Sequence, residues 1–168
     1  MMVSTLAILT ALHARLEALE IAPEVPAFEK VEIYSHPNLI RALQDLRIFK
    51  SRVCLIVPDG ETYENEVHGR NLVTKCVRQV ILLFADRDFG RRQDAAIGDD
   101  STPGVIRLNE AIATDLTGQS LGLGGVRVIP EFSQPVLLAD KDRDRSAGRE
   151  AWHLELSIEA GVRKTTVP

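Results

Sequence analysis

Asp140, Asp142 and Asp144 alternate along the chain, as the first three carboxylates of a calcium loop do. Such a loop needs a glycine at its sixth position and a glutamate at its twelfth. Counted from Asp140, those positions hold Arg145 and Ala151, and Lys141, Arg143 and Arg145 already neutralise the acids. The run therefore reads as a solvated hairpin tip or a subunit contact. Leu121-Gly122-Leu123-Gly124-Gly125 has the glycine density of a phosphate cradle, but a dinucleotide fingerprint places its glycines after a strand and before a helix. Here they follow a predicted helix and precede a predicted strand, and no lysine or Ser/Thr follows as in a P-loop, so they read as a turn. The histidines His13, His36, His68 and His153 are scattered with no local Ser-His-Asp or Cys-His arrangement. His13 lies beside a helical apolar stripe and His153 on the outer face of a predicted strand, which suits surface histidines. Cys54 and Cys76 sit in apolar, strand-like runs, as buried free thiols do, and no Cys/His spacing suggests zinc. Glu61, Glu64 and Glu66 form an acidic patch in what reads as a solvated loop. No catalytic, metal or cofactor residue emerges.

The balance of the chain points the same way. It has 168 residues, 45% of them hydrophobic, with 20 basic and 24 acidic side chains of interspersed sign and a net charge of −4. That length suits one domain able to bury a core without a disulfide or metal. A basic footprint for nucleic acid is missing, so sequence-specific nucleic-acid binding is not expected. The segment Met1 to Glu20 carries His13, Arg15 and Glu17 and does not read as a signal peptide, and the longest apolar run, Val80 to Ala85, is too short for a bilayer. A soluble domain with no membrane contact is the expectation.

The elements follow from periodicity. Ser4 can cap a helix from Thr5, with Leu9, Leu12, Leu16 and Leu19 on one stripe, and Pro23 and Pro26 should end it. Phe28 to Tyr34 alternates as a half-buried strand. Asn38 to Leu46 suits a short helix, and Arg52 to Val57 a short strand closed by a Pro58-Asp59-Gly60 turn, with a polar connection over Glu61 to Arg70. Leu72 to Ala85 is the longest strand signal. Its second half is apolar on both faces, so a helix or another subunit should cover each. Thr102-Pro103 opens a second helix, with Thr102 as cap and the stripe Val105, Leu108, Ile112 and Leu116, stopping at Gly118. Val126 to Ala139 is extended, and Pro130 and Pro135 assign it to an edge or a bulge. Glu150 to Ala160 is the last strand, with Trp152 inward as a core residue or an interface anchor, and the chain from Gly161 reads as a frayed tail. The sum is one α+β domain over residues 1–168, a mostly antiparallel sheet of about five strands with two main helices packed on it. Mobile loops are expected near 86–101 and 140–148.

Several segments together resemble the tail-completion, or tail-terminator, proteins of tailed bacteriophages and prophages. They are the first helix Leu6 to Leu19 with the strand Val31-Glu32-Ile33, the long strand Leu72 to Ala85, and Thr102-Pro103-Gly104-Val105-Ile106-Arg107-Leu108 leading to Leu116-Thr117-Gly118. The closing strand Gly148-Arg149-Glu150-Ala151-Trp152-His153-Leu154-Glu155-Leu156 belongs with them, and the likeness, one of layout and pattern, spans nearly the whole chain. It implies a structural, non-enzymatic virion protein, with no cofactor. Such a protein forms a ring, hexameric as a rule, on the last ring of the tail tube, stops tube growth and presents a face to the head. The implied partners are copies of itself, the tail tube protein and a head-completion protein; the implied location is the virion tail, and the bacterial host cytoplasm during assembly. Arg91, Arg92, Asp140, Asp142, Arg143, Asp144 and Arg145, at predicted loop tips, are the expected subunit or tube contacts. The alternatives are another virion or secretion-tube adaptor of similar fold, and a small ligand-binding or enzymatic α+β domain, which a deep pocket with clustered polar side chains would favour.

Overall fold

The computed structural model describes residues 2–34, 41–42, 46, 51–86, 97–98, 103–136 and 151–166. Helix α1 (Thr5–Glu17) starts where expected, because the Ser4 hydroxyl accepts a 3.2 Å hydrogen bond from the Ala7 amide. Ile8, Leu9, Leu12 and Leu16 form its buried stripe. The prolines do not end this helix: it stops at Glu17, and Pro23 and Pro26 belong to the small antiparallel pair that follows, β1 (Glu20–Ala22) and β2 (Val25–Pro26).

The main sheet has strands β3 (Lys30–Ile33), β4 (Val53–His68), β5 (Asn71–Ala85), β6 (Val126–Val136) and β7 (Ala151–Thr166), in the order β3-β4-β5-β7-β6. Only β3 and β4 run parallel; the other pairs are antiparallel. Helix α2 (Gly104–Leu116) buries the stripe Val105, Leu108, Ile112 and Leu116. Both helices pack on one sheet face, where Leu12, Leu16, Leu108 and Ile112 meet Ile56, Val80, Leu82, Phe84, Leu154 and Leu156 in one cluster. The chain is thus α+β, with a five-stranded, mostly antiparallel sheet.

On the opposite face Val53, Leu55, Val57, Ile81, Leu83 and Ala85 cluster with Ala42 and Leu46. The two-sided apolar run Val80 to Ala85 is therefore covered from both sides within the chain, and this run does not call for a second subunit. Of the expected helix over 38–46, only Arg41, Ala42 and Leu46 are described residues.

Four local expectations are corrected. Pro58-Asp59-Gly60 does not close β4: Asp59 is a bulge, and the ladder resumes at Gly60↔Gln79 and runs to His68↔Asn71. The segment Glu61 to His68 is accordingly strand, turned at Gly69-Arg70, where Gly69 takes a φ of 62° that favours glycine. The chain beyond Gly161 is not frayed, because Val162 to Thr166 pair with Lys75 to Asn71. His153 is only 8% exposed, opposite Leu83, with its ring edge-on to Phe132 at 6.5 Å. Trp152 is half-buried and packs against the main cluster. β6 is an edge strand with a bulge between Pro130 and Phe132, as its prolines require. Helix α2 begins at Gly104, after Pro103; Thr102, the expected cap, lies outside the described residues.

Candidate interaction surface

The sheet is longer than the layer that covers it. Beyond the bulge, β4 is exposed from Asp59 to His68, as is β7 from Val162 to Thr166, and β5 lies between them with Leu72 to Lys75 half-buried. The three strand ends form an arm that leaves the core, with β4 and β7 paired to the two sides of β5.

Glu61 fastens the base of this arm to the start of α1. Its carboxylate accepts from the Thr5 hydroxyl at 2.7 Å and from the Tyr63 phenol, and it pairs with Arg78. Arg78, 6% exposed, also donates to the Val3 carbonyl at 3.2 Å. The Tyr63 hydrogen bond, then that of Thr5, with help from Arg78, hold Glu61 below the usual carboxylate range against a smaller opposing effect of burial. The same hydrogen bond to Glu61 raises the Tyr63 phenol. On the other face Lys75 reaches Glu159 at 2.7 Å, and this bond raises the lysine.

Cross-strand neighbours share a face, so Tyr63, Asn65 and Val67 stand on the same side as Cys76, Thr74 and Leu72. The 2.7 Å bond from the Thr74 hydroxyl to Asn65 Oδ1 joins two of them. This side continues the helix-covered face outward, where no described helix covers it. Tyr63 is 52% and Val67 71% exposed there, two large side chains facing solvent.

The edges of the arm are open as well. β3 ends its pairing at Ile33↔Ile56, so beyond Val57 the outer side of β4 meets no strand among the described residues. β6 ends its pairing at Val126↔Ala160, which leaves the outer side of β7 likewise open from Arg163 to Thr166 among the described residues. Neither this arm nor its edges were legible as a site; Glu61, Glu64 and Glu66 read as loop acids, yet they sit on β4.

Nothing in the rest of the described surface assembles chemistry. His13, in an open hollow with Thr10, Val31, Glu32, Ile33 and Tyr34, is engaged at both nitrogens, 3.0 Å from the Val31 carbonyl and 3.2 Å from Glu17. Cys54 and Cys76 are buried free thiols, and burial pushes Cys54 far up. Leu121 to Gly125 is the turn between α2 and β6. Among the described residues no group of His, Cys, Asp and Glu could hold a metal ion, and no helix is long and apolar enough to cross a membrane. Arg91, Arg92, Asp140, Asp142, Arg143, Asp144 and Arg145 all lie outside the described residues.

No protein-family model matches the chain, and no curated protein matches it. Among solved structures it is similar to a chain of the virion of a native gene transfer agent particle, at a TM-score of 0.49 and 13% identity. The match covers 89% of this chain and 91% of that one.

Proposed function

We propose that this chain is a structural virion protein of a phage or prophage that caps the end of the tail tube as a ring, stops tube growth and prepares the joint with the head. The reading begins from the sequence resemblance to tail-completion proteins. The observation that carries it is the arm: three strands extended past the core, with exposed Tyr63 and Val67 and two edges that meet no strand among the described residues, an arrangement suited to contact with other chains. Its partners are then copies of itself, the tube protein and a head-completion protein, and its place the virion tail, reached from the host cytoplasm. The charged side chains Arg91, Arg92, Asp140, Asp142, Arg143, Asp144 and Arg145 belong to the same proposal as further contacts with a subunit or the tube. Another virion or secretion-tube adaptor is the second reading, since the arm would serve either. The test adds the purified chain to polymerising tail tube protein and measures tube lengths by electron microscopy. Shorter tubes with a ring at one end are expected; unchanged lengths with no bound chain overturn the reading.

A further inference from the structure

The two edges of the main sheet are finished differently. The β6 edge carries Pro130 and Pro135, which have no amide to offer a further strand. The β3 edge carries no proline over Lys30–Ile33, and among the described residues no strand lies on its outer side. Tyr34 donates its amide to the Ile56 carbonyl of β4, whereas Val31 turns its carbonyl the other way, 3.0 Å from His13 Nε2. Backbone groups alternate from side to side along a strand, so the amide and carbonyl of Ile33 face outward with those of Val31. On that side lies an open hollow of about 500 Å³, lined by Thr10 and His13 of α1 and by Val31 to Tyr34. Ile33, 36% exposed, adds an apolar side chain to its lining.

The surroundings of this hollow are acidic. From Met2 to Tyr34 the chain carries Glu17, Glu20, Glu24, Glu29 and Glu32 against Arg15 and Lys30. Both bases are engaged within the chain, Arg15 with Asp115 and Lys30 with Glu32. Glu17 lies one turn beyond His13 on α1 and pairs with it. Glu20 and Glu24, on the hairpin that leads from α1 to β3, are exposed and form no ion pair among the described residues. An open strand edge beside a helix suits strand addition, in which main-chain bonds hold an extended segment and its alternate side chains meet the walls. The excess of acid favours a basic segment and disfavours an acidic one. We infer that the outer edge of β3, in the hollow beside α1, takes an extended segment of another protein with lysine or arginine at alternate positions. β3 is four residues long, so a short segment fills the edge. β3 pairs with β4 only as far as Ile56, short of the arm, so this contact stands apart from tube capping and does not rest on it.

The experiment titrates the full chain into labelled short peptides and reads fluorescence anisotropy, at low and high salt. A peptide alternating lysine with valine should bind saturably, more tightly at low salt. The same peptide with glutamate in place of lysine should bind about tenfold or more weakly. So should the lysine peptide N-methylated at alternate amides, which keeps its charge but cannot pair as a strand. On the chain, Ile33→Pro removes an outward amide without removing a bond to β4, and Glu20→Lys with Glu24→Lys reverses charge beside the hollow. Both should weaken binding of the lysine peptide, and NMR shifts on binding should centre on Val31, Ile33 and His13. Melting curves check that the variants are folded, and should Ile33→Pro unfold the chain, the N-methylated peptide decides in its place. No saturable binding of the lysine peptide, equal binding of its N-methylated form, a folded Ile33→Pro chain that binds like the native one, or shifts confined to another face each overturn the inference. All four leave tube capping to its own assay on tubes.

Discussion

The carboxylate of Asp86, completely buried just past the end of β5, accepts a 2.7 Å hydrogen bond from the amide of Gly104, the first residue of α2. A helix leaves its first amides without partners inside the helix, and a carboxylate there meets both the amide and the positive end of the dipole. Here the acceptor comes from 18 residues earlier in the chain, so one side chain ties a strand end to a helix start. Asp86→Ala should destabilise the fold by about 1–3 kcal/mol, through a lost cap and an unpaired buried amide. Gly104 takes a φ of 72°, so Gly104→Ala should cost about 1–2 kcal/mol. Urea titrations of both variants check this, and unchanged midpoints would count against the cap.

Phe84 is completely buried at the centre of the sheet, and its ring meets Phe28 edge-on at 6.0 Å. Phe84→Ala should cost about 3–5 kcal/mol. Trp152, half-buried over the same cluster, should cost less as Trp152→Ala, about 2–3 kcal/mol. Thermal melts of both proteins give the order, and the reverse order contradicts the assignment of Phe84 to the centre.

The Glu61 contacts make one part of stability depend on pH. Its folded-state value lies below the ordinary carboxylate value of about 4.3. The stabilising contribution is therefore fully present above that ordinary value and is lost as the pH falls through the lower folded value. Melting temperatures of the native chain and of Glu61→Gln should differ at neutral pH and converge in acid. A gap that stays constant down to about pH 3 removes Glu61 from that role.

Arg15 and Asp115 join the two helices through a fork, with Nε at 2.8 Å from Oδ2 and Nη2 on Oδ1. The arginine is partly in solvent, so the pair should contribute only about 0.5–1 kcal/mol. A double-mutant cycle with Arg15→Ala and Asp115→Ala measures that coupling directly, and it should shrink in high salt.

Val67, at the outer end of the arm, is tested by separating stability from assembly. Val67→Lys should change stability by about 1 kcal/mol or less, because the site is open. The same change should weaken binding to tail tubes in the tube-length assay. A Val67→Lys protein that melts early and caps normally shows that this face belongs to the fold rather than to contact.

Local signals were legible wherever one short segment carried its own reason. Ser4 before an apolar stripe located α1, and Val105, Leu108, Ile112 and Leu116 located α2. Pro130 and Pro135, which cannot donate to a ladder, marked β6 as an edge. The arm escaped because Glu61 to His68 and Val162 to Thr166 are polar or exposed on both faces, so no apolar alternation announces a strand. Their partner is β5, whose apolar half was plain in the sequence and whose polar half carries them beyond the core.

By itself, then, the sequence determined the α+β class, the helical stripes and the buried thiols, since burial of apolar surface repeats with the period of the backbone and needs no distant partner to be seen. Tertiary structure alone decided that Asp86 caps α2, that Glu61 meets Thr5 and Arg78, and that the exposed ends of β4 and β7 flank β5 in one arm. Those relationships join residues far apart in the chain, and which strand lies beside which depends on register and sheet order, quantities that no local pattern encodes.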